Sequence, residues 1–249
     1  MKKLIFLTLL FFFSSNLYAG ISVFPARNEI HIDNDSIHDG KYVVVNDNDD
    51  TIVLSITCEK WYNSQENADI QVGDWLSISN KQLVLAPHER VEIDYKVYSK
   101  SYTGSLSAML SFSYNAPKMT GINLMTSVPV YLTIKGTEKV AFEITNLSMA
   151  NPRMFKEEGI PVTFTVKNNG NLPVRLQGSL TIKKGKKTIS EKPIGEQSPV
   201  YAGLDRIFVE KFQPPQAGKY VLSISLNAFN ISVEKSIQFR VNKFGEISF

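Results

Sequence analysis

The chain has 249 residues, 43% hydrophobic and 20% charged, with 27 Lys and Arg against 24 Asp and Glu. That near-neutral balance excludes a protein built to wrap nucleic acid, which needs a clear basic excess. Cys58 is the only cysteine, so no internal disulfide forms and stability must come from packed cores.

Lys2 and Lys3 precede a compact apolar run, Leu4 to Phe13, broken only by Thr8; polar residues follow, and Leu17-Tyr18-Ala19 ends in a small residue. The pattern predicts a secretory signal peptide over residues 1–19, cut after Ala19. The run is too short to span a bilayer, which takes about 20 residues, and no later stretch is apolar enough for stable membrane insertion. The remainder is long enough for one large or two ordinary domains.

After residue 20 almost nothing has helical periodicity. Ile21 to Ile32 is predicted as an edge strand that breaks or switches sheets at Pro25, which has no backbone donor. Lys41 to Val45 and Thr51 to Tyr62 are strands around the turn Asn46 to Asp50, whose short polar side chains cap their own backbone. Trp61 is expected to cover one end of the core, Cys58 to be a core thiol, and Asn63 to Gly73 to be a polar, mobile loop. Trp75 to Ile78, Leu83 to Leu85, Val91 to Tyr98 and Leu106 to Tyr114 follow as strands. Ile122 to Ile134 then sustains a period of two over the whole stretch, far beyond the usual strand of about five or six residues. These strands predict a first domain over 20–135, with 136–139 as linker.

The second half, 140–249, repeats the texture. Val140 to Leu147, Val162 to Val166, Val174 to Ile182, Ile207 to Phe212, Tyr220 to Leu226 and Ile231 to Val241 are predicted strands. Asn168-Asn169-Gly170-Asn171 and Lys183-Lys184-Gly185-Lys186-Lys187 read as hairpin turns. The fold class is therefore all-β: two immunoglobulin-like β-sandwich domains in tandem after a signal peptide.

No catalytic constellation is present. There are three histidines, His31, His38 and His88, and no GxSxG, HExxH or glycine-rich phosphate loop, so the chain is not read as an enzyme and no cofactor is expected. The acidic turns around Asp33 and Asp47 lack the spacing of a calcium loop and are read as solvated turns, with no metal. The Lys183–Lys187 turn could touch an anionic surface or lipid, and is read first as a charged hairpin tip.

ISVFPARNEI just after the leader, VVVNDNDDTIVLSITCEKW, LVLAPHERVEIDYKV and the long alternating strand follow one another as in a known family. Over roughly 20–135 the chain resembles the N-terminal domain of PapD-like periplasmic pilus chaperones. The resemblance implies a periplasmic protein that binds an exported, pilus-type subunit by lending it a long edge strand. It implies that Ile122, Leu124, Thr126 and Val128 enter the subunit, and that Arg27 holds the subunit's terminal carboxylate. The family's partner lysine for that arginine has no counterpart, since no lysine lies between Gly121 and Ile134. VTFTVKNNGNLPVRLQGSLTI in the second domain resembles instead the immunoglobulin-like modules of bacterial exported proteins. Two readings follow: a chaperone-like protein, or a structural or adhesive envelope protein of two modules.

Overall fold

The computed structural model describes residues 20–249 apart from 63–64, 118–120, 151–158, 196–198, 214 and 249. The predicted signal peptide lies outside the described residues. Alternating burial drives nearly every segment into strands, and these form two sandwiches with separate cores.

In the first sandwich one sheet has β1 (Ile21–Phe24), β3 (Ile37–Asn46), β7 (Arg90–Tyr98) and β5 (Leu76–Ile78), in that order. The facing sheet has the order β2 (Asn28–Ile32), β9 (Asn123–Ile134), β8 (Ser105–Asn115), β4 (Ile52–Lys60), β6 (Gln82–Leu85). The first predicted strand is thus two strands in different sheets, parted at Pro25, where the Phe24–Pro25 bond is cis. Asn28 secures the switch: its amide donates to the hydroxyls of Tyr42 (3.0 Å) and Tyr95 (2.8 Å), two aromatics of the opposite sheet.

The second sandwich pairs β10 (Phe142–Met149), β11 (Ile160–Asn168) and β14 (Asp205–Phe212) in one sheet. The other has the order β13 (Lys187–Ile194), β12 (Gln177–Lys184), β15 (Gly218–Ala228), β16 (Ile231–Val241), β17 (Ile247–Ser248). β13 is absent from the sequence reading because its residues are exposed up to Ile194 and carry no apolar alternation.

Three expectations need correction. Asn168–Asn171 is not a hairpin turn: β11 and β12 belong to different sheets, and the segment crosses between them. Gly170 is required there by close approach, since a Cβ would lie 2.2 Å from the Lys139 carbonyl oxygen. The segment expected as a mobile loop is pinned at its centre, where buried Asn67 donates to the carbonyls of Thr103 (2.7 Å) and Ser105 (3.1 Å). Trp61 does not cover the first core. Its indole N–H donates to the Tyr201 hydroxyl of the second sandwich at 2.7 Å, while Trp75 is the fully buried tryptophan.

Candidate partner-binding edge and interdomain cleft

β9 is paired along its whole length with β8, from Asn123 opposite Asn115 to Thr133 opposite Ser105. On its other side β2 covers only Val130 to Ile134. The half from Asn123 to Pro129 therefore has one open edge among the described residues.

Two hydrogen bonds set the phase of that edge. Ala116 N–H donates to the Ile122 carbonyl and Ile134 N–H to the Gly104 carbonyl, both at 2.9 Å. In an antiparallel pair, residues facing the partner alternate. Even-numbered residues of β9 thus bond to β8, and the N–H and C=O groups of Asn123, Met125 and Ser127 point to the open side. Pro129 is odd-numbered, so its missing donor falls on the open edge and leaves the β8 ladder intact.

The side chains follow the same alternation. Val128 is 1% exposed and sits in the first core. Leu124 is half-buried against that core and Thr126 half-buried beside it, whereas Ile122 is 44% exposed at the strand's outer end. Met125, on the opposite face, is 65% exposed. The predicted strand residues are brought into one row, but Val128, two residues before β2 begins to pair at Val130, packs into the domain's own core.

Arg27 stands at the inner end of this row, one residue before the start of β2, which places it beside Pro129. Roughly 20 Å of strand separates it from Ile122. Its Nε is 3.1 Å from a carboxylate oxygen of Glu29, and Arg175 of the second sandwich lies 3.5 Å from the same oxygen. Arg175 also stands over the Tyr131 ring, 5.6 Å from its centroid. Burial, reinforced by the Tyr201 hydroxyl at 3.1 Å, raises the pKa of the Tyr131 phenol and keeps it protonated. Glu29, His31, Tyr131 and Thr133 face Leu172, Pro173, Arg175 and Phe229 across a cleft of about 270 Å³.

Glu29, Tyr131 and Arg175 were missed by sequence reasoning. Arg175 is far away in sequence, and only the packing of the second sandwich against the first brings it to Glu29. Neither acidic turn gathers three potential metal ligands, and among the described residues no such group exists. No helix among the described residues is long and apolar enough to cross a membrane.

Solved structures similar to this chain include fimbrial chaperones. The class 5 fimbriae chaperone CfaA is 12% identical, with 88% of this chain and 97% of that chain covered and a TM-score of 0.49. CupB2 from Pseudomonas aeruginosa is 8% identical over 91% and 96%, with a TM-score of 0.46. A chain from the complex of the Salmonella enterica SafA pilin with the SafB chaperone is 9% identical over 90% and 99%, with a TM-score of 0.46. No protein-family model matches the sequence, and no curated protein matches it.

Proposed function

We propose that the protein is a periplasmic chaperone-like protein that captures an exported, pilus-type subunit by strand addition to the open half of β9. The observation that carries this reading is the row of main-chain groups on Asn123, Met125 and Ser127 that β2 leaves uncovered. An open strand edge is a template for pairing with another chain. Leu124 and Thr126 lie at the mouth between the two sheets, so a strand added there shares them with its own apolar face, and Ile122 extends the contact outward. The partner-facing run ends at Thr126, with Arg27 at its inner end. There Arg27 donates to the partner's terminal carboxylate, and Arg175 adds a second cation from the other domain.

The test uses proline at two neighbouring positions. Met125→Pro removes a donor from the open edge only; Thr126→Pro removes one that bonds to β8. The expected result is that tagged wild-type protein recovered from the periplasm brings down a subunit, that Met125→Pro is folded by circular dichroism and brings down none, and that Thr126→Pro is destabilised. A folded Met125→Pro chain that retains the subunit sinks strand addition and leaves the structural or adhesive reading.

A further inference from the structure

The chain's overall neutrality conceals a separation of charge. Residues 20–135 hold nine Lys and Arg against fourteen Asp and Glu, whereas residues 136–249 hold sixteen against ten. Much of that excess is gathered at the end of the second sandwich remote from the first. β12 ends in Lys183 and Lys184, the turn holds Lys186, and β13 begins with Lys187. Alongside, β15 begins with Gly218-Lys219, β16 ends in Arg240-Val241, and Lys243 lies in the turn to β17. All seven side chains are exposed, and none forms an ion pair with a described carboxylate. Glu246 is the one acidic residue among the described residues of these turns.

The arrangement works against the fold. Lys184 is directly opposite Lys187, and Lys219 is directly opposite Arg240. Like charges facing across strands destabilise a sheet. Two such pairs at one end concentrate positive potential that stability alone would disperse. A large apolar group shares that end: Phe244 is 69% exposed, with the Lys243 ammonium 5.0 Å from its ring centroid. Between β15 and β16, Lys219, Gln238, Arg240 and Ser248 border a concavity of about 350 Å³.

We propose that this tip docks on the surface of an anionic phospholipid bilayer, the cations meeting lipid phosphates and Phe244 entering the headgroup layer. A bilayer fits better than a polynucleotide because the cations are spread over the tips of separate turns with an aromatic among them. The acidic first sandwich is repelled by the same surface, so the molecule stands end-on with the β9 edge directed away from the membrane. The inference is independent of strand addition.

Co-sedimentation of the chain lacking residues 1–19 with vesicles of equal parts phosphatidylglycerol and phosphatidylcholine tests it. Binding is expected to these vesicles, to be lost in high salt, and to be absent on phosphatidylcholine alone. Each cation near an anionic surface is worth about fivefold in partitioning, so Lys186→Glu with Lys187→Glu lowers binding by at least about tenfold. Phe244→Ser lowers it by about threefold without changing the salt dependence. Lys81→Glu, in the first sandwich, leaves it unchanged. The thermal midpoint of the double variant is expected to equal or exceed that of the parent, because a repulsive pair is relieved. Equal binding to neutral and anionic vesicles, or undiminished binding by a folded double variant, overturns the proposal. So does tighter binding of duplex DNA or polyglutamate than of these vesicles at the same salt.

Discussion

Two buried asparagines anchor the ends of core strands. Asn46 closes β3, where its amide donates to the carbonyls of Asp50 (2.9 Å), Leu85 (3.3 Å) and Ala86 (2.8 Å), and its oxygen accepts from the Asn48 N–H (3.1 Å). Asn168 does the same for β11, donating to Leu172 (2.6 Å) and Val200 (2.8 Å) carbonyls and accepting from the Gly170 N–H (2.9 Å). Asn168→Ala leaves several of these groups unpaired in the interior and is expected to cost about 2 kcal/mol, read from the urea midpoint by circular dichroism. Asn46 was legible as a turn former, whereas Asn168 was read into a hairpin turn that does not form. Their anchoring role was not legible, because Leu85 and Val200 are more than thirty residues away in sequence. Cys58 was legible as a core thiol, since it lies in an apolar strand and packs against the first core. Burial pushes its thiol up to about 12. The thiolate is the reactive form, so raising the pKa depletes it at pH 8. Labelling by a disulfide reagent at pH 8 is expected to be on the order of a thousandfold slower in the native chain than in urea.

At the scale of the strand, the period of two in Ile122 to Ile134 located β9 but not the division of labour along it. Periodicity reports which side chains share a face; it does not report where a neighbouring strand stops. That limit is set by Pro25, which sends β1 to the other sheet and delays β2 until Asn28. The two ends of the row should therefore respond differently to the same charge. Val128→Asp buries an unpaired carboxylate in the first core and is expected to lower stability by about 3 kcal/mol or more. Ile122→Asp stands in solvent and is expected to leave the urea midpoint within about 0.5 kcal/mol of the parent while weakening subunit capture. A large loss of stability from Ile122→Asp would show that this residue belongs to the domain's own core. The Asn168–Asn171 segment shows the converse limit. Asn-Gly favours a hairpin by local chemistry, yet here the glycine answers to the approach of the Lys139 backbone from another segment.

At the scale of the molecule, the two sandwiches meet through contacts that no local pattern discloses. Tyr201 lies 4.4 Å, centroid to centroid, from Tyr62, takes the Trp61 indole hydrogen bond, and meets the Tyr131 hydroxyl. Asn171 ties the connection itself: its amide donates to the Thr137 carbonyl (3.0 Å), its side-chain oxygen accepts from the Lys139 N–H (2.7 Å), and its carbonyl accepts from the Ser105 N–H (3.1 Å). The Arg175–Glu29 contact, and with it the second cation at the cleft, depends on this arrangement being held. Tyr201→Phe removes only the hydroxyl. It is expected to cost about 1 kcal/mol of interdomain coupling and to shift Trp61 emission to longer wavelength in a Trp75→Phe background, as the indole N–H turns to water. Tyr201→Ala with Asn171→Ala removes the aromatic contact and the tie together. The two sandwiches have separate cores, so calorimetry is expected to resolve two transitions in the double variant where the parent shows one. A single unshifted transition would mean that the cleft is held by other contacts, and that Arg175 stays beside Glu29 without Tyr201.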